Sequence, residues 1–169
     1  MSNRAPSQML IRPITPDDWP IARRVRLDAL AGSLPGTFST THADAFEWDE
    51  QQWREWTARR DPFFVAGSGA QPAGSVGAIV TPDGPELVSM WTAPRARRTG
   101  VSDRLVRAVI EWARQADHLS LRLWVLDGNR PAEQLYLRTG FTPTGASRPC
   151  AEDDPRPENE MILPLPASR

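Results

Sequence analysis

The stretch RRTGVS, residues 97–102, stands where a strand-like run gives way to a helix-like one. Such a turn suits an anion. The start of a helix leaves its first backbone N–H groups without partners, and the helix dipole favours negative charge there. Gly100 can take a positive φ or let a ligand approach the backbone closely. Arg97 and Arg98 add forked donors that match phosphate oxygens. The combination looks built for a diphosphate. The same residues also read as a surface turn in which Ser102 caps the helix and the arginines are solvated. Neither familiar nucleotide loop is present, since the chain has no GxxxxGK[ST] and no GxGxxG after a first strand.

The elements around this turn follow from pattern. Residues 8–14 alternate as a strand. Thr15 then reads as an N-cap, with Pro16 at the first helical position and Asp17 and Asp18 at the positive end of the dipole. That helix is expected to run to about Ala31, with Ile21, Val25, Leu27 and Leu30 inward and Gly32 as its stop. A long connection over residues 32–48 follows, and connections of this length are usually functional or disordered. From Asp49 a second helix is expected, with Trp53 and Trp56 on one face. Residues 63–66 and 73–80 read as two strands joined by a turn, and residues 86–92 as a third strand stopped by Pro94. Residues 102–116 form a strongly amphipathic helix. Its stripe is Leu105, Val109, Trp112, Ala113 and Ala116, widened by Val106 and Ile110. Residues 119–126 form a strand, 131–138 a short helix closed by Gly140, and the runs from Phe141 and over 161–165 the final strands. The order predicts a mixed α/β or α+β fold around a central sheet.

Bulk composition narrows the function. The chain has 169 residues, 40% hydrophobic and 24% charged, which fits a single soluble domain over residues 1–169. A formal net charge of −1 argues against a whole-protein grip on nucleic acid. Cys150 is the only cysteine, and His42 and His118 are the only histidines, so neither a disulfide framework nor a metal centre is expected. No run approaches the roughly 18 apolar residues of a membrane span, and residues 1–10 lack a signal-peptide core, so a cytoplasmic protein without membrane contact is expected.

A second motif lies downstream: Asn129, Ala132 and Tyr136, with Gly140-Phe141 closing the helix. With this motif and the turn taken together, the run over residues 86–141 resembles the GNAT superfamily of acetyl-CoA-dependent N-acyltransferases. That family's phosphate loop follows the pattern Arg/Gln-x-x-Gly-x-Gly/Ala, which residues 97–102 fit except that Ser102 stands at the last position. The element order extends the resemblance to nearly the whole chain. It implies a mixed, mostly antiparallel sheet of six to seven strands, splayed between the fourth and fifth and flanked by about four helices. It also implies that the anion is the pyrophosphate of coenzyme A. Backbone N–H groups from Arg98 through Thr99, Gly100, Val101 and Ser102 to Asp103 would cradle it, with Arg97 alongside. Met90, Trp91 and Thr92 would bond the pantetheine arm as an added strand, and one N–H near Met90 would polarise the thioester. Asp103 places a negative charge close to the phosphates and is expected to point away from them.

The implied chemistry is direct attack by an amine on acetyl-CoA in a ternary complex, with dimers common in the family. Tyr136, the chain's single tyrosine, is implied as the acid for the leaving thiolate. Its ordinary pKa of about 10 exceeds a thiol's roughly 8.5, so it acts best by hydrogen bonding. Its other reading is an aromatic that holds its helix to the sheet. Asn129 would fix the cofactor arm or serve as a turn residue. Glu86 is the first candidate for the base, with Ser89, His42 and a water chain as rivals and a solvated strand-edge carboxylate as the plainer reading. Phe38, His42 and Phe46, in the long connection, are candidates to surround a cationic acceptor. Alternatively, Phe46, Trp48, Trp53 and Trp56 pack the second helix. The expected acceptor is a primary amine of a small molecule. The alternatives are a protein lysine or N-terminus, or an acyl-CoA sensor without turnover.

Overall fold

A computed structural model describes residues 9–33, 37–38 and 40–167 of the chain. It contains β1 (Ile11–Pro13), a 3₁₀ turn (Pro16–Asp18), α1 (Trp19–Gly32), α2 (His42–Phe46), α3 (Glu50–Ala58), β2 (Phe63–Gly67), β3 (Pro72–Thr81) and β4 (Gly84–Thr92). A second 3₁₀ turn (Pro94–Ala96) leads to α4 (Val101–Gln115), β5 (Ser120–Leu126), α5 (Arg130–Arg138), β6 (Thr142–Ala151) and β7 (Asp154–Pro164). The strands form one seven-stranded sheet in the order β1-β2-β3-β4-β5-β7-β6. Neighbours are antiparallel except β4 and β5, which run parallel and meet only where Glu86 faces Arg122. Beyond that pair the two strands part. The mixed, mostly antiparallel sheet and its splay between the fourth and fifth strands are as the resemblance implies.

Local chemistry explains where the elements differ from the pattern reading. The backbone N–H of Thr15 donates to the Asp18 carboxylate at 3.0 Å, which closes a 3₁₀ turn before α1 begins. The first helix is therefore broken at its start. Its inward face is Ala22, Val25, Arg26, Leu27 and Ala29, while Ile21 and Leu30 are only partly buried. Inside the connection that reads as irregular, Thr41 accepts a hydrogen bond from the Asp44 N–H and starts the short α2. Asp49 and Gln52 form a reciprocal cap that starts α3 where expected. Residue 8 of the first expected strand and residues 34–36 and 39 of the long connection lie outside the described residues.

The amphipathic α4 buries Val101, Leu105, Val106, Val109, Ile110 and Ala113. Burial of its five larger side chains contributes on the order of 10 kcal/mol before conformational entropy is set against it. Trp112 is half-buried, and Ala116, expected in the stripe, is exposed at the C-cap. The helix can sit this low on the sheet because residue 74 is glycine. A Cβ there would lie 2.8 Å from both the Trp91 carbonyl oxygen and Leu105 Cδ1. On the other side of the core, Trp48, Trp53, Trp56 and Phe63 meet in sequence at ring distances of 4.8, 5.8 and 5.5 Å. Trp53 and Trp56 thus pack α3, whereas Phe46 is 54% exposed. The last two strands are longer than the pattern indicates. β6 is the sheet edge, where Pro143 and Pro149 are tolerated because one side of the strand needs no ladder bonds. Among the described residues, no helix is long and apolar enough to cross a membrane.

Candidate active site

The site is built around an irregularity in β4. Ser75 pairs with Trp91 and Gly77 with Val88, so Ser89 and Met90 together oppose the single residue Val76. Ser89 takes a φ of +57°, a value that side-chain-bearing residues adopt only under constraint. Two groups supply that constraint. The Ser75 hydroxyl donates to the Ser89 carbonyl oxygen at 2.9 Å, and Arg60 Nε donates to Ser89 Oγ at 2.7 Å. Arg60 is anchored in turn by donation to the Trp56 carbonyl at 2.8 Å. A bulge of this kind bends its strand and re-aims the backbone groups. Here it lies beyond the Glu86–Arg122 pair, where no β5 residue pairs with β4. The backbone of Met90, Trp91 and Thr92 therefore faces a slot, although the Trp91 side chain itself is buried in the core.

The slot opens into a cleft of about 340 Å³, a size suited to small ligands. Glu86 and Met90 line it from β4, Trp124 and Leu126 from β5, Tyr136 from α5 and Asn129 from the position that precedes α5. Tyr136 is 6% exposed and packs edge-on against Phe141, and burial pushes its phenol well above the usual tyrosine range. The packing reading of this residue thus holds, and its side chain also lines the cleft. Asn129 is the N-cap of α5, its Oδ1 accepting the Ala132 N–H at 3.4 Å, so its turn role is real while it also lines the cleft. Glu86 is half-buried, and its carboxyl is raised above the ordinary value. Desolvation is the main cause; Glu158 and Glu160 add to it and Arg148 opposes it.

The anion turn follows β4 through the second 3₁₀ turn and leads into α4. Thr99 Oγ1 donates to the Ala96 carbonyl at 2.6 Å. Arg98 and Gly100 take φ values of +61° and +83°, and α4 begins at Val101. The first intrahelical bond runs from Arg104 N–H to the Gly100 carbonyl, so Val101, Ser102 and Asp103 present N–H groups that lack a carbonyl one turn back. Left-handed residues within such a turn make a concave nest of N–H groups. Val101 contributes only its backbone, since its side chain is buried. Arg97 and Arg98 are exposed. Asp103 is held by Arg138 of α5 through two bonds of 2.8 and 3.0 Å, which lower its pKa and draw its charge onto the guanidinium. The Ser102 hydroxyl lies 3.4 Å from that same carboxylate.

The proposed acceptor residues are not brought together. Phe38 lines the cleft. His42 and Phe46 instead stack on each other on the exposed α2, where Arg23 lies over the Phe46 ring at 5.3 Å, and neither lines the cleft. Pattern reading missed Arg26, Arg60, Arg148 and Glu158, all of which line it. Arg26 did leave a signal, a charged residue inside the apolar stripe of α1. Arg148 and Glu158 pair at 2.6 Å across the β6–β7 ladder, and Arg148 lies over Trp124 at 4.0 Å.

The model of the Acetyltransferase (GNAT) family matches residues 27–141, a span that contains the anion turn, the bulged strand and α5. The chain belongs to the GNAT family of acetyltransferases. Acetyl-CoA is the co-substrate of that family. Over 95 residues the chain is 33% identical to N-acetyltransferase 8 of Rattus norvegicus, covering 53% of this chain and 43% of the relative. It thus spans less than half the length of the curated relatives it matches. YncA from Salmonella typhimurium, in a structure with its cofactor acetyl-CoA, superposes with a TM-score of 0.75 at 18% identity, over 96% of this chain and 97% of that one. A ribosomal-protein-alanine N-acetyltransferase from Brucella melitensis gives a TM-score of 0.74 at 23% identity, over 92% and 99% of the two chains. At these identities the two structures establish the GNAT fold.

Proposed function

We propose that this GNAT chain transfers the acetyl group of acetyl-CoA to a primary amine of a small molecule, by direct attack in a ternary complex. The observation that carries this reading is the bulge at Ser89–Met90 beside the parted strands β4 and β5. It leaves strand-edge backbone groups unpaired in the wall of a cleft, next to a buried tyrosine and a half-buried carboxylate. These residues fit acetyl-CoA, which supplies an acyl thioester. Backbone groups of Met90, Trp91 and Thr92 bond an extended arm, and the N–H groups and arginines of residues 97–103 take the pyrophosphate. Gly100 matters doubly, because its φ is +83° and open space lies before its ideal Cβ.

The chemistry divides among three groups. A backbone N–H at Met90 stabilises negative charge developing on the acetyl oxygen, as preorganised donors do in a water-poor site. The Tyr136 hydroxyl donates to the leaving sulfur. It remains protonated because burial disfavours phenolate, and the same burial disfavours free thiolate, so the two groups stay matched. Glu86 receives the proton of the amine, directly or through water. Its raised pKa makes it a better base than an ordinary carboxylate.

The test is release of free thiol from acetyl-CoA across a panel of small amines and N-terminal peptides. Turnover with a small amine supports the proposal. Turnover with peptides alone would favour a protein acetyltransferase, and tight cofactor binding without thiol release would favour a sensor.

A further inference from the structure

We propose that the acceptor carries a carboxylate as well as its amine, with Arg26 and Arg60 holding the carboxylate and Glu86 facing the amino group. The inference rests on the acetyltransferase reading and narrows its substrate class to amino carboxylates.

Arg26 is 3% exposed, yet among the described residues it has neither a hydrogen bond nor an ion pair, and its Nε is buried without a partner. Its guanidinium lies over the Phe38 ring at 4.4 Å and the Trp56 ring at 5.2 Å, and it lines the cleft. Arg60 lies over the same Trp56 ring, 3.6 Å from its centre, and also lines the cleft. It donates to Ser89 and to the Trp56 carbonyl, but among the described residues it has no carboxylate in ion-pair range. Arg54, Arg138 and Arg148, which are more exposed, each hold at least one.

A buried cation without a counter-ion is costly, and two beside each other cost more. Burial lowers Arg26 to about 10, and burial together with Arg26 and Arg59 lowers Arg60 to about 9. Both therefore remain charged at neutral pH. Arg60 has a structural duty at the bulge, whereas Arg26 has none that hydrogen bonding explains. Two guanidinium groups on one wall of a small cleft match the planar, bidentate geometry of a carboxylate. The coenzyme's phosphates do not account for them, because residues 97–103 present a separate set of donors at the start of α4. Arg148 is taken by Glu158. Glu86 gives the cleft its negative end, so cation and carboxylate subsites lie in one cavity, as a zwitterion requires.

The experiment uses the full chain saturated with coenzyme A and titrates the twenty protein amino acids and their carboxamides by calorimetry. At least one free acid is expected to bind, with its carboxamide at least about tenfold weaker, the loss of one charge-assisted bidentate contact. Arg26→Met is expected to weaken the acid by about tenfold or more, leave the carboxamide unchanged, and raise Tm by removing an unpaired buried charge. Arg60→Gln is expected to narrow the same acid-to-amide ratio. Absence of binding by every free acid, equal binding of acid and amide, or an unchanged ratio in Arg26→Met would each overturn the proposal. Arginine-dependent binding of an acid without thiol release from acetyl-CoA would support this subsite while overturning the acetyltransfer reading.

Discussion

Replacing Tyr136 by phenylalanine removes one hydroxyl from a residue that is 6% exposed and leaves its edge-on packing against Phe141 in place. The fold should be little disturbed, with a stability change of about 1 kcal/mol or less. The catalytic effect follows from the proposed donation of this hydroxyl to the leaving sulfur. A hydrogen bond to a group developing negative charge contributes about 1.5–3 kcal/mol, and each 1.36 kcal/mol is tenfold in rate, so kcat should fall by about 10- to 150-fold. Acetyl-CoA affinity should change by less than about twofold, because the thioester sulfur carries little charge before the reaction. Initial rates of thiol release at saturating amine give kcat, and calorimetry with acetyl-CoA gives affinity. The phenol is raised by burial, so it stays protonated below its ordinary pKa of about 10, and its ionisation should produce no loss of rate up to that pH. Unchanged kcat in Tyr136→Phe would refute its role as the acid and leave it as a packing residue.

Gly100→Val forces a β-branched residue to a φ of +83°, at a cost of about 1–3 kcal/mol to the loop conformation that presents the N–H groups. The acetyl-CoA Kd should rise by about 5- to 150-fold, and an unaltered Kd would remove the loop from the cofactor site. Glu86→Gln should lower kcat/KM by about 100-fold or more and abolish the acidic limb of its pH profile, which in the native protein lies above the ordinary glutamate range. Because the folded state raises this carboxyl, the stability it favours is complete below the ordinary value and is lost as pH rises through the folded one. Glu86→Gln should therefore melt no lower than the native protein at pH 7; a lower Tm would contradict the burial argument. Gly74→Ala places a Cβ against the Trp91 carbonyl and Leu105, so stability should fall by about 1–3 kcal/mol, readable as a Tm loss of roughly 2–12 °C.

The anion turn and α4 are legible because they depend on local rules. Gly100 is needed for a left-handed residue, and the 3.6-residue period of α4 survives any context. Tyr136 and Asn129 are singled out through the GNAT resemblance, whose downstream motif spans the N-cap and one face of α5. The bulge in β4 is not legible. LVSM alternates poorly but contains no glycine, and the irregularity exists only relative to β3, through Ser75, Gly77 and the reach of Arg60 from the end of α3. Arg26 shows the opposite case, a residue whose type contradicts the apolar face it lies on. Arg148 and Glu158 lie on strands rich in proline and charge, where alternation carries no signal. His42 and Phe46 had suitable chemistry but sit on α2, which turns them away from the cleft lining.

A crystal structure of the chain with coenzyme A tests the central claim most directly. The pantetheine arm is expected between β4 and β5, bonded by the backbone at Met90 to Thr92, and the pyrophosphate on the N–H groups of residues 98–103. Coenzyme A bound elsewhere, or β4 and β5 closed along their length with the cofactor excluded, would contradict it.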